Sequence, residues 1–313
     1  MGPLPGAGRP PQRGHRRGPP LHRGRTPGED LSLKIAYQGE PGAYSEEAVC
    51  VLFPGDVPAG QRTFSDVFAA VLEGAAARAV VPVENSLAGI VQEVNDLLWE
   101  RRGVEVVAEY AHPVRHCLLG RPGPVSSAVS HPQALGQCRR WLEARGIEAR
   151  PFYDTAGAAR WVAESGPEGA AAIASRTAAA HYGLQILAED IQDQPSNQTR
   201  FLVLRCRSAE EKGGRDWPPE AAAGWKGALA FAAPHVPGSL AAALEPFSRR
   251  GVNLTRLDSR PVPERPFNYL FYLDFEVGDP RVARAAVAEL SGRSAEMRLF
   301  GVYPPGGAPK AGA

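Results

Sequence analysis

Apolar residues follow two rhythms along this chain: short runs that suit strands, and repeats at helical spacing. Residues 31–37 alternate apolar with other side chains and predict a strand. Gly39, Pro41 and Gly42 turn the chain, and Ser45 is placed to cap a helix whose first turn carries Glu46 and Glu47. Thr63 and Ser65 open a second helix with Val67, Phe68, Val71 and Leu72 on its inner face. Residues 79–83 form a continuous apolar run, which suits a strand covered on both faces. Leu87, Ile90, Val91, Val94, Leu97 and Leu98 then recur at helical spacing until Gly103. Strands follow at 104–108, 117–119, 127–130, 149–153, 171–174 and 184–188, with helices starting at Pro132, at Asp154-Thr155 and at Ser175. The polar residues 192–200 lead into the apolar run 201–204, a loop feeding a buried strand. Such alternation predicts an α/β fold with largely parallel sheets.

A charged stretch bearing Gly and Pro, residues 207–224, reads as a linker. Beyond it the pattern changes. Strands are expected at 225–233, 252–260, 267–275 and 295–302, with one helix opening at Pro237-Gly238-Ser239 and another at 280–290. The order βαββαβ predicts a ferredoxin-like sandwich over 225–304. It holds no histidine pair and no metal-ligand spacing, so it reads as a binding or regulatory module.

A chain of 313 residues suggests two or three units. A net charge of +1 provides no overall field for nucleic acid. Four scattered cysteines, Cys50, Cys117, Cys138 and Cys206, suit reduced thiols in a cytoplasmic compartment. No apolar run approaches the roughly 20 residues of a membrane span. Residues 1–31 are rich in Gly, Pro and Arg and read as a disordered tail; 305–313 reads as a second tail.

Polar residues gather at predicted strand ends: Ser45, Glu84, Asn85, Gln133, Thr155 and Ser175. In open α/β sheets that edge binds ligands. Helix capping accounts for Ser45, Thr155 and Ser175. It does not account for Asn85, Gln133 or Thr199, which precedes a strand. Glu84 is either a site carboxylate or a cap for the next helix.

Several motifs carry a resemblance, in order along the chain. They are Tyr-Gln-Gly-Glu-Pro-Gly-Ala-Tyr-Ser-Glu (37–46), Val-Pro-Val-Glu-Asn-Ser (81–86), Ser-His-Pro-Gln-Ala-Leu (130–135), Asp-Thr-Ala-Gly-Ala-Ala (154–159), Tyr-Gly-Leu-Gln (182–185) and Asn-Gln-Thr-Arg-Phe (197–201). Together they resemble the prephenate dehydratase family. Residues 253–261 resemble the signature of the ACT domain attached to those enzymes, with Asp258 where the family commonly has Glu.

The resemblance implies a two-lobed fold like the type II periplasmic binding proteins. One lobe would take about 32–110 and 190–206, the other about 111–189, within a dehydratase domain of 32–206. It implies that prephenate loses carboxylate and ring hydroxyl together to give phenylpyruvate, with no cofactor and no metal. Thr199 would stand at the leaving hydroxyl, with Glu84, Asn85 and Gln133 as further catalytic residues. Ser45, Ser86, Thr155, Ser175, Arg200 and Phe201 would contact substrate; Arg200 either pairs with a carboxylate or, alternating with Thr199, faces away. The ACT domain would bind L-phenylalanine through Pro237, Gly238, Ser239 and Leu240, with Asn253 and Leu254. Asp258, Ser259 and Arg260 complete that set, at an interface in a homodimer or homotetramer. Arogenate, with an amino group in place of the side-chain keto oxygen, is the alternative substrate. A non-catalytic amino-acid sensor is the reading from another class. No nucleic-acid or membrane partner is implied.

Overall fold

The computed structural model describes residue 2 and residues 32–207, 217, 224–262, 265–304 and 306. The two tails and most of the linker expected from the sequence lie outside these residues. Chain order runs β1 (Lys34–Gln38), α1 (Tyr44–Leu52), β2 (Val57–Gln61), α2 (Phe64–Leu72), β3 (Arg78–Asn85), β4 (Gly89–Ile90), α3 (Gln92–Glu100) and β5 (Val104–Pro113). It continues through β6 (Cys117–Gly120), β7 (Ser127–Ser130), α4 (Pro132–Gln137), α5 (Arg139–Glu143), β8 (Glu148–Pro151), α6 (Thr155–Glu164), β9 (Ala170–Ala174), α7 (Arg176–Tyr182) and β10 (Gln185–Ala188). After β11 (Gln198–Cys206) come β12 (Trp225–Ala232), α8 (Ser239–Arg249), β13 (Leu254–Val262), β14 (Arg265–Val277), α9 (Pro280–Arg293) and β15 (Glu296–Tyr303).

These strands form three sheets, ordered β2-β1-β3-β11-β5, β10-β6-β9-β7-β8 and β13-β14-β12-β15, with β4 pairing β3. The first two are mixed, which corrects the expectation of largely parallel sheets. β1 lies parallel to β2 and β3, but β11 runs antiparallel to both β3 and β5. The reason is the path. The chain leaves the first sheet at the end of β5 and returns at that same end as β11, so β11 must run against its neighbours.

Local chemistry explains the other differences. The helix expected from Leu87 begins at Gln92. The Asn85 side chain accepts the N–H groups of Leu87 (3.0 Å) and Ala88 (2.9 Å), closing a tight turn into β4. Glu84 therefore ends a strand and caps no helix. β2 contains Pro58 and Gly60, poor strand formers, and is held by its register with β1. One predicted helix is two, α4 and α5, broken at Cys138.

The third sheet is not a bead on a string. Ala228, Ala230, Leu270, Tyr272, Phe300 and Tyr303 share a core with Val67, Phe68, Val94, Leu98 and Val106 of the first layer. Close approach is built into β15: a Cβ at Gly301 would lie 2.0 Å from the carbonyl oxygen of Val106 on β5.

Candidate active site

Two crossings join the first and second sheets, residues 114–116 and 189–197, and a cavity of about 280 Å³ opens between the sheets beside them. Its walls come from the end of β3, the start of β11 and the first turns of α1, α4 and α6. The N-terminal turn of α1, whose N-cap Ala43 has no capping side chain, leaves backbone N–H groups that favour anions, whereas Asp154 caps α6 and takes the Gly157 N–H at 2.5 Å.

Thr199 sits opposite Asn85 on β3 and His112 on β5. The Asn85 amide cannot be turned over, because its oxygen already accepts two backbone N–H groups. Its nitrogen must therefore donate, and it reaches Thr199 Oγ1 at 3.0 Å, the Gln198 carbonyl at 3.1 Å and Asn197 Oδ1 at 2.9 Å. A hydroxyl that accepts from Asn85 keeps its own proton for another partner. Thr199 and Asn85 both line the cavity, so that proton is available there.

The same polarity runs on. Asn197 Nδ2 donates to Gln137 Oε1 at 3.0 Å, and that oxygen also lies 2.8 Å from His116 Nε2. His116 thus carries its proton on Nε2, leaving Nδ1 to accept from the Tyr44 hydroxyl at 2.6 Å. Burial lowers the His116 pKa, which favours this neutral ring, and burial pushes Tyr44 well up. The network ties both crossings to both lobes. Asn197, Gln137, His116 and Tyr44 were not among the expected site residues. Two signals were there: Gln137 stands one helical turn after Gln133, and Asn197 two residues before Thr199.

The start of α1 and the turn before it stitch the lobes together. Glu47 accepts from the Thr177 N–H (3.1 Å) and hydroxyl (2.8 Å) and meets His112 Nε2 at 3.1 Å. Burial opposes its ionisation, yet these hydrogen bonds hold its carboxyl below the usual range. Gly42 packs so closely on α7 that a Cβ would come within 2.6 Å of Ala178 Cα.

Ser45, Gln133 and Thr155 line the cavity; Ser45 lies inside α1 and caps nothing. Asp154, the N-cap of α6, lines it too. Other expected residues do not reach it. Successive side chains on a strand face opposite ways. Glu84 and Arg200, next to Asn85 and Thr199, therefore face the third sheet. Arg200 donates to Glu109 (2.9 Å), Asp274 (2.6 Å) and the Tyr303 hydroxyl (3.2 Å), with Glu84 at 3.9 Å. Phe201 is buried in the core against Ile35, Tyr37 and Val80. Ser175 caps α7 and donates to the Gly42 carbonyl at 2.6 Å, wholly buried. Ser86 accepts the Gln198 N–H at 3.0 Å and so fixes the start of β11.

The residues expected to bind an effector do not converge within one chain. Pro237 and Ser239 line a cavity of about 330 Å³ with Tyr269 and Phe271, at the N-terminus of α8 that Gly238 leads. Asn253 and Leu254 line another of about 480 Å³ with Leu244 and Ser248. Leu240 packs toward the core between α8 and α9. Asp258 accepts from Arg256 at 2.5 Å, and Ser259 is exposed. Arg260 is already engaged: it ion-pairs with Asp96 and donates to Gln92 at 2.9 Å, both on α3.

The profile of the family described as prephenate dehydratase matches residues 35–209. An Arabidopsis thaliana protein named arogenate dehydratase/prephenate dehydratase 1, chloroplastic, is 39% identical over 297 residues, covering 88% of this chain and 73% of that one. The solved prephenate dehydratase of Arthrobacter aurescens, in complex with L-Phe, superposes with a TM-score of 0.76 at 29% identity, covering 87% of this chain and 90% of the other. The solved structure of GqqA, described as a novel type of quorum quenching acylase, gives 0.78 at 37% identity, over 87% of this chain and 98% of the other.

Proposed function

This chain belongs to the prephenate dehydratase family, and from its cavity we propose how its residues carry out a decarboxylating dehydration. The substrate is prephenate or arogenate, a bent ring that becomes aromatic by losing its carboxylate and its ring hydroxyl. Aromatisation provides the thermodynamic drive; the protein's task is to hold an anionic ring and to stabilise a departing hydroxide. Thr199 donates to that oxygen, in a hydrogen bond that strengthens as charge develops. Asn85 keeps the Thr199 proton pointed into the cavity, and Gln133 orients the ring's polar groups. Ser45, Thr155 and the first-turn N–H groups of α1 receive carboxylate oxygens. Glu84 faces away from the cavity, so direct proton transfer from it to the departing hydroxide has no path.

The observation that carries this reading is the 3.0 Å contact from Asn85 Nδ2 to Thr199 Oγ1, on an amide whose orientation is fixed. Thr199→Ala should lower kcat by about 10²–10³, with a much smaller change in KM. The measurement is the absorbance of phenylpyruvate formed from prephenate, run beside phenylalanine formed from arogenate. Near-normal turnover by the variant would sink the assignment.

The two lobes act as a periplasmic-binding-protein-like pair of walls, and the βαββαβ unit serves as an ACT domain that binds L-phenylalanine. Pro237 and Ser239 line one cavity and Asn253 and Leu254 another, which supports a site completed by a second copy in a homodimer or homotetramer. All four cysteines are free, as a reducing compartment such as the cytoplasm requires. Among the described residues no helix is long and apolar enough to cross a membrane.

A further inference from the structure

Among the described residues no lysine or arginine lines the cavity that holds Thr199, and a single carboxylate does, that of Asp154. Asp154 is half-buried at the start of α6, where its Oδ1 accepts the Gly157 N–H at 2.5 Å. A carboxylate offers about four acceptor positions, so capping leaves room for a further donor. Beside this cavity opens a larger one of about 690 Å³ that shares Gln38, Gly39 and Asp154 with it. Two more carboxylates, Glu40 and Glu46, line that extension. Each of them has a basic partner: Arg160 meets Glu40 at 2.9 Å, and His181 meets Glu46 at 3.1 Å. Asp154 makes its hydrogen bond to backbone, and Arg160, already paired with Glu40, draws on it at longer range. Burial, to which Glu40 adds, pushes its carboxyl above the ordinary value.

We propose that Asp154 reads the substrate's side chain, binding an ammonium group there and so favouring arogenate over prephenate. The inference rests on the dehydratase reading. In either substrate the leaving hydroxyl and the three-carbon side chain stand at opposite ends of the ring. With the hydroxyl at Thr199 on the first sheet, the side chain is directed to the wall formed by α6. Both side chains carry a carboxylate, which the Thr155 hydroxyl at the start of α6 can receive. They differ in the neighbouring group. An ammonium gains a charge-assisted hydrogen bond from Asp154, whereas a keto oxygen meets an acceptor with nothing to donate. Attraction and repulsion at one atom thus separate the two substrates.

Asp154→Asn tests this, because asparagine is as good an N-cap as aspartate and keeps α6 in place. The readout is the ratio of kcat/KM for arogenate to that for prephenate, measured on full-length protein. The wild-type ratio should exceed one, and the variant ratio should fall about 10- to 100-fold. A ratio unchanged within about twofold, whatever the absolute rates, would overturn the proposal and point to a capping or acid role shared by both substrates. So would a wild-type enzyme that turns over prephenate alone. Wild-type protein inert toward both substrates would instead overturn the dehydratase reading, and this proposal with it. Asp154→Ser, a second capping side chain without charge, should reproduce the fall and guards against an effect peculiar to asparagine.

Discussion

His116 shows how a single side chain can tie stability to pH. Only 2% of its surface is exposed, its two ring nitrogens are engaged by Tyr44 and Gln137, and burial holds its pKa below the ordinary value. The unfolded chain titrates near the histidine norm of about 6.5, while the folded chain resists protonation to lower pH. The stabilisation is therefore complete above about 6.5 and is lost as pH falls from there toward the folded pKa. Glu47, also held low, adds a second loss that sets in as pH falls through the ordinary carboxyl range and runs on below it. Between pH 7 and 5 the melting temperature should fall more for wild type than for His116→Gln, which cannot titrate. Parallel curves from a thermal melt series would contradict this. In the sequence, His116 was one residue at the start of an apolar run and gave no sign of its partners, which lie 72 and 21 residues away.

At the scale of the element, β11 is the strand on which the site and its support are mounted back to back. Thr199 faces the cavity, while Arg200 faces the third sheet and is held by Asp274, Glu109 and Tyr303. Desolvation opposes the Arg200 charge, but Asp274 and its neighbours outweigh it and raise its pKa. Asp274→Asn removes one arm of this buried cluster and leaves Glu109, so the expected loss is about 3 kcal/mol, the low end for a broken buried pair. Urea denaturation of variant and wild type measures it; a loss under about 0.5 kcal/mol, typical of a surface change, would mean that the cluster bears no weight. Alternation along β11 allowed the sequence to offer both directions for Arg200, but only the packed third sheet selects one. Elements with strong periodicity, such as α2 and β9, were legible because burial and pattern coincide. The start of α3 was not. An apolar spacing through Leu87 and Ile90 mimics a helix, whereas Asn85 spends its oxygen on the Leu87 and Ala88 N–H groups, and both apolar side chains stay exposed.

For the whole molecule, the question is whether the C-terminal sheet is a tethered sensor or part of the enzyme's body. Three contacts place it against α3: Arg260 on Asp96, the Tyr272 hydroxyl on the Asn95 carbonyl at 3.1 Å, and Arg298 on the carbonyls of Trp99 (2.8 Å) and Arg101 (2.6 Å). Burial lowers the Arg298 pKa to about 10, so its charge persists at neutral pH at the carboxyl end of α3, where the helix dipole favours it. Beneath these contacts the apolar residues of the two layers form one cluster. The linker composition at 207–224 suggested separable modules, because a sequence displays the tether and hides the face. Gly301 allows that face its close approach, and nothing local marks it, because its neighbour Val106 lies almost two hundred residues earlier. A chain ending at Arg207 would leave Val106 and its neighbours facing water and Arg200 without Asp274. Such a fragment should aggregate, or bind a hydrophobic dye and melt without cooperativity. A soluble fragment of residues 32–207 with a sharp thermal transition would show that the dehydratase sheets stand alone. In the intact chain, any rearrangement of the third sheet must instead move α3 and β11 with it, because a shared close-packed core transmits displacement rather than absorbing it.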